Sequence, residues 1–173
     1  ILKMGRTQLE DAVPMRLGQS FHAYATMIER DIRRIERARK ELFTLNLGGT
    51  AIGTTINASD YYLHHIVPTL AAVTGYPLMQ ADDLFDATEN LDGFVTISNT
   101  LKTCAVNLSK MCNDLRLLAS GPRCGLAEFN LPARQPGSSI MPGKVNPVIP
   151  EVMNQIAYKA VCYTHLRAHE TLR

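Results

Sequence analysis

Residues 94–118, FVTISNTLKTCAVNLSKMCNDLRLL, carry the most regular pattern in this chain of 173 residues. The apolar side chains recur in steps of three and four, at Phe94, Ile97, Leu101, Cys104, Leu108, Met111, Leu115 and Leu118. This spacing puts them all on one face of an α-helix for more than three heptads. Because a long helix with one apolar face packs against other long helices at a small angle, the stretch predicts an all-α fold, a bundle of long helices.

The residues before this stretch predict two further helices and a loop between them. Residues 14–45 are expected to form a long helix with Pro14 in its first turn and one buried apolar stripe. Residues 46–59 are rich in Gly, Thr and Asn and predict a loop. A shorter helix is expected from Tyr61 to Thr74, because the residues just before it can cap its start and a glycine follows its end.

The remaining segments predict more helix and one long loop. Residues 80–90 predict a short helix, residues 121–147 a loop rich in Gly and Pro, and a final helix starts near Pro147. No strand-like alternation extends beyond a few residues. A loop of this length inside a compact domain is usually functional, so residues 121–147 are the first place to look for a site.

Composition excludes several classes of protein. The chain is 46% hydrophobic and 20% charged with a net charge of +2, which is too small to favour nucleic acid or an anionic membrane as a partner. No apolar run approaches the ~20 residues that a membrane span needs. The four cysteines are widely spaced and lack the spacing of a metal site, so we expect no metal and reduced thiols in a cytoplasmic protein.

Residues 137–147, GSSIMPGKVNP, combine groups that suit a small anionic substrate. Ser138 and Ser139 supply hydroxyls, Lys144 supplies a positive charge, and Asn146 supplies two donors and an acceptor. Gly137 and Gly143 in this segment allow the backbone to approach a ligand closely and to move. Donors, a cation and a movable loop together favour a carboxylate ligand.

This segment resembles the signature of the aspartase/fumarase superfamily, whose members cleave a C–N or C–O bond and release fumarate. Three other segments are similar to that family in the same order, namely KMGRTQLEDAVPMRLGQ (3–19), LNLGGTAIGT (45–54) and NDLRLLASGPRCGLAE (113–128). The resemblance covers residues 1–161 and implies part of the central helical-bundle domain, with the catalytic loop at 137–147. It also implies a homotetramer and no organic cofactor.

The resemblance implies a role for each residue of the signature. Ser138 matches the general base that removes a proton from the carbon next to the substrate carboxylate. Lys144 and Asn146 match residues that bind a carboxylate and stabilise the aci-carboxylate intermediate. Ser139 is expected to hold the other carboxylate of a small dicarboxylate substrate.

A second strip, GRTQ, includes Thr7 and Gln8. Thr7 matches a family residue that contacts substrate. Many relatives have a histidine after this threonine, paired with a downstream glutamate that corresponds to Glu151. Because Gln8 does not titrate, the His–Glu relay is absent and Gln8 is limited to hydrogen bonds. This difference favours the aspartase branch, which releases ammonia from L-aspartate, over the fumarate hydratase branch. A non-catalytic helical scaffold, like the lens crystallins of this superfamily, is the remaining alternative.

Two differences from the family limit what the chain is expected to do by itself. Family members are more than twice as long and share each active site among three subunits, and this chain holds only two of the three contributing strips. We therefore expect it to be inactive alone. Residues 162–173 do not resemble the family and are expected to be a frayed or artefactual tail.

Overall fold

A computed structural model describes residues 1–167 and the side chains of residues 1–162. In chain order its elements are β1 (Leu2–Thr7), β2 (Glu10–Arg16), α1 (Leu17–Ala38), a 3-10 turn (Arg39–Phe43), β3 (Thr44–Leu45), α2 (Asp60–Thr74), β4 (Met79–Gln80), α3 (Leu84–Glu89), α4 (Asp92–Leu118) and α5 (Val148–Arg167). The prediction of an all-α fold is confirmed, because helices dominate and the strands are short. Within the described residues, no helix has both the length and the apolar character needed to cross a membrane.

Local signals placed α2 accurately, whereas the short helix predicted over residues 80–90 is limited to Leu84–Glu89 and Gln80 belongs to β4. α2 begins after Ser59, whose hydroxyl accepts a hydrogen bond from the Tyr62 N–H at 3.2 Å. It ends at Gly75, which has a φ of 71° and donates its N–H to the Ala71 carbonyl at 2.9 Å. A left-handed residue at this point favours glycine because a side chain would be strained there. Both ends of α2 are therefore determined by single residues.

The first 16 residues form two strands, although the sequence showed no extended strand-like alternation. β1 and β2 form an antiparallel hairpin that pairs Leu2 with Arg16 and Thr7 with Glu10. Pro14 lies inside β2 and pairs with Met4, so the expectation that it starts the first helix was wrong. The turn residues Gln8 and Leu9 have φ values of 53° and 70°. Tight hairpin turns with two positive φ values usually carry Asn-Gly, and Gln-Leu gives no such signal.

The structure divides into two compact units, and the first comprises Ile1–Ile32 together with the described residues from Leu101 onward. Here α1, α4 and α5 meet through polar side chains. Asn107 of α4 donates its amide to both carboxylate oxygens of buried Asp31 at 3.0 and 2.9 Å. The amide of buried Asn154 lies 3.0 Å from Ser109 Oγ and 2.7 Å from Asn113 Oδ1. Buried polar groups of this kind need their partners, so they set the register of the three helices.

The second unit, Arg33–Thr100, is organised around α2 and the loop at 46–59. Thr44–Leu45 pairs in parallel with Met79–Gln80, and the Gln80 amide donates to the Leu47 carbonyl at 2.8 Å. Gly53 lies against α3, because a Cβ there would stand 2.5 Å from the Phe85 Cα. The loop predicted from its glycines is thus a packed structure.

Among the residues that the structure describes, the apolar faces of the long helices are only partly covered. Phe94 is 64% exposed and Leu101 is 51% exposed on the face of α4 that the sequence pattern marks. Phe21 and Ile32 on α1 are also exposed, so the prediction of a buried stripe there was wrong for this chain. The periodic pattern shows which face is apolar, and it does not show which molecule covers that face.

Candidate functional site

Thr7 and Gln8 lie at the tip of the β1–β2 hairpin. Thr7 forms the last pair of the ladder with Glu10, and Gln8 and Leu9 make the turn. A side chain in the left-handed region costs about 1–2 kcal/mol per residue. Two such residues side by side mark a strained turn, and strain of this kind often occurs at functional sites.

A groove of about 490 Å³ lies beside this hairpin, and Gln8 is one of its lining residues. The lining also includes Tyr24 of α1 with Lys110 and Asp114 of α4. The Tyr24 hydroxyl donates to Asp114 Oδ2 at 3.0 Å, and Lys110 forms an ion pair with the same oxygen. Burial, and then the Asp114 carboxylate, raise the pKa of Tyr24 above its ordinary value. Tyr24 therefore stays protonated at neutral pH and acts as a hydrogen-bond donor.

Two cations of β1 meet the carboxylate of Glu128. Arg6 Nη1 forms a hydrogen bond and ion pair with Glu128 Oε1, and Lys3 Nζ lies 3.0 Å from Oε2. Burial alone would raise the pKa of Glu128, but the hydrogen bonds and charges of Arg6 and Lys3 outweigh it, so this pKa is lowered. Sequence reasoning did not identify this cluster, because Arg6 and Glu128 are 122 residues apart and no local pattern links them.

The signature loop folds back on itself between Gly137 and Pro142, which form an isolated antiparallel bridge. The Gly143 N–H donates to the Pro136 carbonyl at 3.4 Å, and the Lys144 N–H donates to the Met141 carbonyl at 3.2 Å. Gly137 has a φ of 97°, and a Cβ there would stand 2.9 Å from the Gly143 nitrogen. Only glycine fits this close approach, which brings the backbone beside Ser138 to the backbone of Lys144.

Ser138 already has one hydrogen-bond donor. The Met141 N–H donates to Ser138 Oγ at 3.1 Å. A backbone N–H aimed at a serine oxygen stabilises the alkoxide that forms when the hydroxyl loses its proton. Ser138, Ser139 and Lys144 are all exposed, so a ligand can reach them from solvent.

Asn146 and Glu151 lie where the loop enters α5. Asn146 lines a pocket of about 160 Å³ together with residues of the 119–132 segment and with Val145 and Pro147. Glu151 is half-buried in the first turn of α5, where its N–H donates to the Pro147 carbonyl at 3.3 Å. A carboxylate near a helix N-terminus is favourable, so Glu151 has a structural reason for its place.

The structure therefore sorts the candidate residues into two groups. Ser138, Ser139 and Lys144 share one tight loop, and Asn146 follows it directly. Gln8 lines the groove at the hairpin, which has no lining residue in common with the pocket of Asn146. In the portion of the chain that the structure describes, no cluster of three or more His, Cys, Asp or Glu side chains is arranged to hold a metal ion.

Comparison with known sequences finds a lyase family model and relatives that share one name. A protein-family model described as lyase matches residues 1–162. The chain is 57% identical over 161 residues to the aspartate ammonia-lyase of Bacillus subtilis (strain 168), covering 93% of this chain and 34% of that protein. It is 61% identical over 162 residues to the aspartate ammonia-lyase of Pseudomonas aeruginosa, with the same coverage. The chain thus spans about a third of the length of these relatives.

Solved structures agree in fold. A fumarate lyase:delta crystallin from Brucella melitensis, bound to cobalt, matches with a TM-score of 0.88 and 52% identity, over 94% of this chain and 35% of that one. A class II fumarase from Schistosoma mansoni matches with a TM-score of 0.92 and 33% identity, over 97% of this chain and 38% of that one. The fold is therefore shared by relatives whose names indicate different reactions.

Proposed function

Because the chain belongs to the lyase family, we propose that the whole protein is an aspartate ammonia-lyase, which reversibly eliminates ammonia from L-aspartate to give fumarate. One contrast carries this proposal. Relatives named aspartate ammonia-lyase are 53–61% identical over nearly the whole chain, whereas the class II fumarase with the same fold is 33% identical. Since the fold is shared, the difference in identity favours the ammonia-lyase over the hydratase.

The loop at 137–147 supplies the chemical step. Ser138, as alkoxide, removes a proton from the carbon next to one substrate carboxylate, and the electron pair moves into that carboxylate to give an aci-carboxylate. The electron pair of the aci-carboxylate then forms the C=C bond, the C–N bond breaks, and the protonated amino group of the substrate leaves as neutral ammonia. The Met141 N–H at 3.1 Å from Ser138 Oγ supports the alkoxide, and the positive charge of Lys144 stabilises the developing negative charge.

The other candidate residues bind and orient the substrate. Asn146 shares with Lys144 the carboxylate on which negative charge develops, and Ser139 donates to the second carboxylate. Thr7 and Gln8 hydrogen-bond the substrate from the hairpin tip. With these roles assigned to Ser138, Ser139, Lys144, Asn146, Thr7 and Gln8, the proposed reaction uses no organic cofactor.

We also propose that one active site combines strips from different copies of the chain in a homotetramer. Gln8 lines the hairpin groove and Asn146 lines the loop pocket, and these two cavities share no lining residue, which supports a site assembled from more than one copy. The exposed apolar face of α4 supports association with other copies, because Phe94 and Leu101 would be covered by them. Four free cysteines support a reducing compartment, and we place the protein in the cytoplasm.

The test uses the whole protein, with the sequence that its own gene supplies on either side of this chain. Ultraviolet absorbance follows fumarate formed from L-aspartate and, separately, from L-malate, for wild type and for Ser138→Ala. We expect fumarate from aspartate alone and its loss in Ser138→Ala, with the circular dichroism spectrum unchanged. The isolated chain is expected to give none.

Other outcomes identify the alternatives. Fumarate from malate would assign the protein to the hydratase branch and would mean that Gln8 does not distinguish the branches. No fumarate from either substrate, from a folded tetramer, would favour a non-catalytic scaffold.

A further inference from the structure

The hairpin that presents Thr7 and Gln8 is attached to the rest of its unit through Arg6, the residue directly before Thr7. Arg6 has two carboxylate partners. Its Nε lies 3.2 Å from Asp11 Oδ1, on the neighbouring strand, and its Nη1 pairs with Glu128. The Asp11 side chain is 68% exposed, whereas that of Glu128 is 14% exposed. Because solvent screens the first pair, the second pair is the one that constrains Arg6.

Glu128 is itself held in place by the end of α4. Its backbone N–H donates to the Leu118 carbonyl at 2.9 Å, and the adjacent Ala127 N–H donates to the Ser120 carbonyl at 2.9 Å. The segment that turns back to make these bonds also lines the pocket of Asn146 through Ala127 and Asn130. The Glu128 carboxylate thus stands at a position defined by a helix end, and it reaches β1 through Arg6 and Lys3.

We infer that Glu128 is a positioning residue: it holds the hairpin so that Thr7 and Gln8 meet the substrate in one fixed orientation. The inference rests on the proposed function, since it takes Thr7 and Gln8 as substrate-binding residues. Glu128 does not touch the substrate and acts through Arg6. Lys3 adds a second ion pair to the same carboxylate, because its Nζ lies 3.0 Å from Glu128 Oε2.

The test compares three variants of the whole protein. Glu128→Gln removes the charge and keeps the length, Glu128→Asp keeps the charge and shortens the side chain, and Asp11→Asn removes the exposed partner of the same arginine. Both Glu128 variants are expected to raise the KM for L-aspartate at least about tenfold and to change kcat less than about threefold, because binding contacts move and the Ser138 loop does not. Asp11→Asn is expected to leave KM within about twofold of wild type.

Two further readouts separate positioning from general stability. Amide hydrogen exchange in the peptide covering residues 1–16 is expected to quicken in Glu128→Gln and not in Asp11→Asn. In a Thr7→Val background, Glu128→Asp is expected to change KM far less than it does in wild type, because the substrate contact that Glu128 helps to position is already impaired. Because Glu128→Asp keeps the negative charge, we expect it to fold even if Glu128→Gln does not.

The outcomes distinguish this inference from the proposed function. If the wild-type protein forms no fumarate from L-aspartate, the proposed function is refuted. The hydrogen-exchange experiment would then still test whether Glu128 holds the hairpin in place. Three results would each overturn the positioning role of Glu128. The first is a wild-type KM for L-aspartate in folded Glu128→Asp, and the second is a KM increase in Asp11→Asn as large as that in the Glu128 variants. The third is unchanged amide exchange of residues 1–16 in Glu128→Gln.

Discussion

The β1–β2 hairpin presents Thr7 and Gln8 on a ladder of six residue pairs, and Glu128 adds ion pairs from outside the hairpin. The loop at 137–147 presents Ser138 and Lys144 on an isolated bridge and on backbone hydrogen bonds within exposed chain. The hairpin is therefore preorganised before a ligand arrives. The loop is held by local contacts, which a ligand can rearrange at little cost. We propose that this difference separates a fixed binding strip, the hairpin, from a movable chemical strip, the loop.

The largest expected effect tests the chemical strip. Lys144→Met should lower kcat/KM for L-aspartate by about 10²- to 10³-fold, because it removes a charge that stabilises the developing carboxylate anion. Since Lys144 is exposed, the free energy of unfolding should change by less than about 0.5 kcal/mol. Steady-state kinetics and thermal melting measure both quantities. Lys40→Met, at an exposed lysine of the 3-10 turn, is the matched control and should leave both unchanged.

The second prediction concerns the packing of the β1–β2 hairpin, which is the fixed strip. Gly5→Ala should destabilise the protein by about 1–3 kcal/mol, because its Cβ would stand 2.8 Å from the backbone oxygen of Val13. Gly18→Ala is the matched control, since a Cβ there meets nothing within 4 Å and the residue lies in α1. That control should stabilise by up to about 1 kcal/mol. Equal denaturation midpoints for the two variants would show that the hairpin is not tightly packed.

The third prediction concerns pH and the attachment of the hairpin. The pKa of Glu128 is lowered in the folded state, so its stabilising effect is present above the ordinary value of 4.5 and is lost as pH falls through the folded pKa. The difference in melting temperature between wild type and Glu128→Gln should therefore be largest near pH 7 and shrink below about pH 4. Glu10→Gln, at an exposed carboxylate, should differ little from wild type at either pH. A difference that grows in acid would contradict this account.

The smallest expected effect is on the strained turn. Leu9→Gly should stabilise the protein by at most about 1 kcal/mol, because glycine relieves the left-handed strain and its greater freedom when unfolded offsets part of the gain. The free energy of unfolding from guanidinium titration measures this change. A clear loss of stability would mean that the Leu9 side chain makes contacts whose loss outweighs the strain.

The helices were predictable and the hairpin was not, for a physical reason. α4 was visible because eight apolar positions repeat over its length, and α2 because Ser59 and Gly75 mark its ends. The hairpin depends on pairing between strands and on a turn at Gln8 and Leu9 that carries none of the residues usual for it. Local sequence patterns predict helices well, because the contacts that define a helix are close in sequence. They do not predict which strands pair with each other.

The candidate site divides in the same way. The loop residues were identified because GSSIMPGKVNP is a contiguous motif, and the structure folds it so that Gly137 lies against Gly143 and Lys144. Glu128 was missed because its partners, Arg6 and Lys3, come from the opposite end of the chain. The roles of the site residues stay predictions, as does the non-family tail at 162–173, of which residues 168–173 lie outside the described structure.

A mixing experiment tests most directly whether the fixed and movable strips of different copies make one active site. Thr7→Val and Ser138→Ala forms of the whole protein, each expected to be much less active than wild type with L-aspartate, are unfolded together, refolded, and checked for hybrid oligomers by native mass spectrometry. If each site takes the two strips from different copies, random mixing should restore about a quarter of wild-type activity. Hybrid oligomers with no activity above that of the separate variants would contradict the account, because both strips would then have to come from the same chain.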